Sequence, residues 1–273
     1  MGWFERVFPE SSIVWLLLST VVALVSGFIS SWLYYRFIKR QEIVDQVVAD
    51  INKQRVLRQE DAQAEQQERI RQEVIRWANP ILGAVQDLRY RLINILEDRG
   101  YRVLNKNYQQ ETIPQWSISY EYLMESTLYL FAQYFAWIYL FEEELSFEIF
   151  HSHKSKDRFL DAIHGVSQAL GSFPLKGGEC SGVDTQIFNL QQRSIGELLI
   201  IRPESGSRYC MSYPEFAEKL HNPNFGRYIQ PLVELLDGLE PDTDCRWKRL
   251  IATRDALKKL ERNCRQLLQL PET

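Results

Sequence analysis

The sequence predicts an all-α protein: one transmembrane helix continuing into a polar spacer helix, then a cytoplasmic multi-helix domain. Three observations predict it. From Ile13 to Tyr35 the chain runs 23 residues without a charge. Residues 36–76 contain neither Gly nor Pro. Beyond them, apolar residues recur at spacings of three and four, the period of helices that bury one face.

The first element is "IVWLLLSTVVALVSGFISSWLYY". At about 1.5 Å per residue it would be roughly 35 Å long, enough to cross a hydrocarbon core of about 30 Å. It reads as a retained anchor at 13–35. Glu5, Arg6 and Glu10 precede it, and bulky Trp32, Leu33, Tyr34 and Tyr35 close it where a cleaved signal peptide carries small residues. Trp15 at one end and Trp32, Tyr34 and Tyr35 at the other suit the aromatic belts of a bilayer.

Arg36, Lys39 and Arg40 follow at once, against a single Arg6 on the other flank. Short-flank cations stay cytoplasmic, so residues 1–12 are expected to form an extracytoplasmic tail and everything after Arg36 to lie inside. Within the anchor, Ser19, Ala23, Gly27 and Ser31 fall four apart. Helices in a bilayer associate through close backbone packing, and small residues at that spacing permit it. The stripe therefore predicts self-association or pairing with another membrane protein.

The spacer, 36–76, opens with Val44, Val47, Val48 and Ile51 on one face. Phe37, Val44 and Ile51 repeat by seven, as a short parallel coiled coil would. The repeat fails at Arg58, and "RQEDAQAEQQERIRQE" is polar almost all round, as in a solvent-bridging helix.

The domain, 77–273, is expected to hold six or seven helices. Asn79–Pro80 reads as a helix start, with Ile81, Val85, Leu88 and Leu92 as its apolar face and Gly100 as its stop. "YEYLMESTLYLFAQYFAWIYLF", from Tyr120 to Phe141, has nine Phe, Tyr or Trp and acidic flanks. It reads as a buried central helix whose Tyr hydroxyls need partners, with a second span as the alternative. Further helices are expected at Asp157–Leu170, stopped by Gly171; in "TQIFNLQQRSIGELLII", where "ELLII" also suits a strand; at "SYPEFAEKLH", with Ser212 and Glu215 as a capping box; at "NFGRYIQPLVELLDG"; and at the chain's end.

Net charge is −4, without the basic footprint expected of a general nucleic-acid binder, so no nucleic-acid partner is expected. Cys180, Cys210, Cys245 and Cys264 show no C-x-x-C pair and are expected to be free thiols, with Cys264 in the core. His151, His153 and His164 form only a bare H-x-H and a distant third; "KGGECSG" lacks the phosphate-loop pattern. No catalytic, cofactor-binding or metal site is assigned. The last helix holds eight Lys or Arg between Arg246 and Arg265 against Asp255 and Glu261. Lys248, Arg249, Lys258, Lys259 and Arg262 are the candidates for contact with lipid or an acidic partner. The competing reading is that this face meets the acidic segments 142–148 or 234–244 of the same domain.

The function expected is that of a non-enzymatic, membrane-anchored interaction or scaffolding protein. Two other readings fit the same residues: an accessory subunit of a larger membrane complex, and a tethered sensor or enzyme with a pocket among the aromatic helices.

Overall fold

In the computed structural model the described residues are 12–105, 118–144, 153–172, 186–242 and 244–271. Helix covers 83% of them and strand 2%. The chain divides into two compact units, residues 1–67 and 68–273.

The first unit holds α1 (Ser12–Leu33), a six-residue π-helical turn (Tyr34–Lys39) and the start of α2 (Arg40–Leu96). The wide turn falls where the apolar run gives way to Arg36 and Lys39. Its extra residue rotates the faces before and after it by roughly 100°. Every side chain described from Val14 to Arg69 is exposed.

Burial begins at Val74, on the part of α2 that belongs to the second unit. Sequence reading expected a helix to start at Asn79–Pro80; instead α2 runs straight through Pro80. Pro80 has no N–H, so the carbonyl of Arg76 loses its helical partner, at a cost of about 3 kcal/mol against Ala. Trp77 and Ala78 before it and Ile81, Leu82 and Val85 after it are all buried, and this packing outweighs the break. The helix stops at Leu96, but not through a left-handed Gly100. Arg99 takes the positive φ (65°). Gly100 is needed for closeness: its N–H donates to the Asn94 carbonyl at 2.9 Å, and a Cβ there would lie 2.7 Å from Asn94 Oδ1.

The rest of the second unit is α3 (Tyr101–Leu104), α4 (Tyr120–Glu144), α5 (His153–Gly171), α6 (Asn189–Leu198), β1 (Ile200–Ile201), β2 (Tyr209–Cys210), α7 (Tyr213–Leu220), α8 (Pro223–Leu236) and α9 (Cys245–Leu267). The aromatic helix α4 is buried on most sides, with Leu123, Leu128, Phe131, Phe135, Ala136 and Phe141 in the core. Two of its Tyr hydroxyls donate across the fold. Tyr120 donates to Asp237 at 2.8 Å and Tyr129 to the Met211 carbonyl at 3.1 Å. Burial raises both hydroxyls to about 12, with Asp237 adding to the effect at Tyr120.

α6 lies along α4, and α5 along α9. The "ELLII" ambiguity resolves as both structures: helix to Leu198, then Ile200 and Ile201 paired antiparallel with Cys210 and Tyr209. The strand at Tyr209–Cys210 carries no sequence pattern and is set by this pairing alone. The capping box is formed, Ser212 N–H donating to Glu215 at 2.9 Å. At α8 and α9 the bond runs the other way, the side chains of Asn222 and Asp244 accepting from Asn224 N–H and Arg246 N–H.

Candidate functional site

Three features of the two units offer something to a partner. The first is α1. Among the described residues, one helix is long and apolar enough to cross a membrane, and none of its apolar window is buried. Three of its hydroxyls are spent inside the helix. Ser19 donates to the Leu16 carbonyl at 2.9 Å, Thr20 to Leu17 at 2.8 Å and Ser26 to Ala23 at 3.0 Å. Hydroxyls bonded in this way leave no donor unsatisfied in an apolar medium. Ala23 and Gly27 lie exposed, and a Cβ at Gly27 would meet nothing within 4 Å. At the other end Arg36 lies over the Trp32 ring (4.9 Å) and Lys39 over Tyr35 (5.3 Å), one helical turn back in each case.

The second feature is a cavity of about 300 Å³ between α4, α5 and α6. Tyr134, Phe135 and Tyr139 line it with Ile138 from α4, and Glu142, His164 and Arg193 are among its polar lining groups. Its shape depends on how closely α6 approaches α4. Gly196 sits so near the backbone that an added Cβ would be 2.5 Å from the Phe135 carbonyl oxygen. Arg193 stacks on Tyr139 at 5.3 Å and pairs with Glu143 at 2.9 Å.

The third feature is the basic face of α9, which the structure splits. Arg249 is not available to lipid. It is buried to 1% exposure, and its guanidinium donates to the carbonyls of Ala169, Leu170 and Ser172. It thus caps the end of α5, where bare carbonyls and the helix dipole favour a cation. Arg246 bonds the carbonyls of Glu234, Asp237 and Gly238 and the carboxylate of Asp244. The 234–244 segment therefore does meet this helix. The described part of the other acidic segment does not: Glu143 and Glu144 pair with Arg76, Arg193 and Arg208. Lys258, Lys259 and Arg262 remain exposed, while Lys248 is half-buried. Lys259 and Arg262 line a cleft of about 440 Å³ together with Arg158 and Asp161 of α5.

The cysteines correct one expectation. Cys245 is disulfide-bonded, whereas four free thiols were expected; Cys210 and Cys264 are free. Burial pushes both free thiols up to about 12, so neither supplies a thiolate near neutral pH. Cys264 has the expected place in the core, with no exposed surface. His164 is exposed on α5. Cys180, His151, the side chain of His153 and the "KGGECSG" loop lie outside the described residues. Among the described residues no three His, Cys, Asp or Glu side chains converge as a metal-binding group.

Sequence reasoning raised a pocket among the aromatic helices as one alternative but missed Arg158 and could not place the cavity, because both depend on which helices become neighbours. The only trace in the sequence was the aromatic richness of α4. No protein-family model matches the chain, no curated protein matches it, and no solved structure matches it.

Proposed function

We propose that the protein is a single-span, membrane-anchored interaction module. α1 is the anchor, and the helical domain from about residue 68 is the part that meets partners. The observation that carries this reading is the wholly exposed apolar helix, an arrangement a soluble core helix does not have. The small-residue stripe supports pairing between membrane helices. Exposed Val44, Val47, Val48 and Ile51 on α2 support a short coiled coil between copies just beyond the membrane.

Arg36, Lys39 and Arg40 support an orientation with residues 1–12 outside and the domain in the cytoplasm. The Cys245 disulfide pulls the other way, since disulfides persist in oxidising compartments. Alkylation of intact cells with a membrane-impermeant maleimide, using a single cysteine placed at exposed Lys258, separates the two. Protection supports the cytoplasmic domain, and labelling reverses the orientation. Extraction from native membranes in mild detergent, followed by mass measurement, tests the module itself. A homo-oligomer or a defined hetero-complex is expected, and a monomer released by carbonate washing would overturn the anchor.

A second reading, a tethered sensor, rests on the α4–α5–α6 cavity. Its volume sits at the lower end for small-molecule sites, and its walls are apolar with a few polar groups. A small molecule retained in native mass spectra of the purified chain would favour it over the first.

A further inference from the structure

We infer that the cleft between α5 and α9 binds a phosphate ester. It is lined by Arg158 and Asp161 from α5 and by Lys259, Arg262, Asn263 and Gln266 from α9. Positions 259, 262, 263 and 266 share one face of α9, at spacings of three and four. Asn263 ties that face to α5 by donating to the Arg158 carbonyl at 3.2 Å, so the cations of the two helices are held across a fixed gap.

The charges of this cleft are treated differently from three arginines on the same helix. Arg246, Arg254 and Arg265 are each held by a carboxylate, of Asp244, Glu97 and Glu261. Among the described residues Arg158, Lys259, Arg262 and Asp161 make no ion pair, although the chain as a whole carries an excess of acids. Three cations facing one carboxylate leave the cleft two positive charges in excess. A phosphate monoester brings up to two negative charges and three acceptor oxygens that point in different directions. Guanidinium forks from opposite walls and an ammonium on the α9 wall match that geometry; a planar carboxylate offers acceptors in one plane only. The volume exceeds that of the phosphate itself, leaving room for the esterified group. A lipid headgroup and a soluble phosphate ester share this chemistry. The inference does not rest on the membrane reading, because both helices belong to the second unit.

The test is calorimetric titration of the full chain in a neutral detergent. The probes are glycerol 3-phosphate, dihexanoyl phosphatidic acid and, as the uncharged control, glycerol. One or both phosphate probes are expected to bind and glycerol not. Arg158→Gln and Lys259→Gln should each weaken binding at least tenfold. Lys258→Gln, exposed on the same helix but outside the cleft, should leave it unchanged. All three positions have solvent-facing side chains, and an unchanged melting midpoint verifies the fold. Binding of the lipid probe alone assigns the site to a membrane headgroup, and equal binding of both assigns it to the phosphate ester irrespective of source. The inference is overturned if neither phosphate probe binds. It is equally overturned if Lys258→Gln weakens binding as much as Lys259→Gln, which would mean a diffuse basic surface.

Discussion

Gly196 of α6 packs directly on the backbone of Phe135 in α4, so closely that a Cβ would approach the Phe135 carbonyl carbon to 2.7 Å and the Ala136 nitrogen to 3.1 Å. The obstacle is backbone in a buried helix and cannot swing aside as a side chain would. Gly196→Ala should therefore destabilise the domain by about 1–3 kcal/mol, although Ala is the better helix former by about 1 kcal/mol. The measurement is the denaturant midpoint. A stabilised variant would mean that α6 does not pack against α4 as described.

Glu261 joins α9 to α2. Its carboxylate lies 2.7 Å from Arg89 Nε and 3.3 Å from Arg265 Nε, and it accepts a hydrogen bond from Gln86 at 2.9 Å. Burial alone would raise this carboxyl, but the Gln86 bond, Arg89 and Arg265 outweigh it and hold it below the ordinary value of 4.5. A carboxyl depressed on folding contributes stability that is complete above its unfolded value. That contribution is lost as pH falls through the lower folded value. Stability of the native chain should thus decline from about pH 5 downward, in part through Glu261. Glu261→Gln should cost about 1–3 kcal/mol at pH 7 and flatten the acid limb of the profile. An acid limb unchanged in the variant would remove Glu261 from that account.

Arg249 and Lys258 were equals in the sequence and are opposites in the fold. Arg249→Ala removes the guanidinium from three carbonyls at the end of α5, of which that of Leu170 keeps another donor, the Ile187 N–H at 3.0 Å, and it opens a cavity, so a loss of about 3 kcal/mol is expected. Lys258→Ala changes an exposed side chain and should stay within about 0.5 kcal/mol. Thermal melts of the two variants side by side check the contrast.

Gly27→Leu probes the membrane helix. Since nothing lies within 4 Å of a Cβ at Gly27, the substitution fits the isolated helix and acts only on a neighbour. Association in a membrane reporter assay should fall severalfold. Unchanged association would take the stripe out of the interface.

The sequence alone determined the helical class, the exposed apolar helix, the buried aromatic α4 and the capping box at Ser212. These follow from local periodicity and from contacts within a few residues of one another, where backbone geometry leaves little choice. The tertiary structure decided the rest. Pro80 stays within α2 because side chains on both sides of it are buried, an energy no local propensity registers. Tyr209 and Cys210 become a strand only because Ile200 and Ile201 are there to pair with. The basic stripe of α9 is local in sequence, yet its fate is not. Arg249 meets the end of α5, Arg246 meets the segment after α8, and Lys259 and Arg262 face Arg158 across a cleft. A helix of known pattern presents several faces at once, and only the elements packed against it determine which cations are neutralised and which remain to bind.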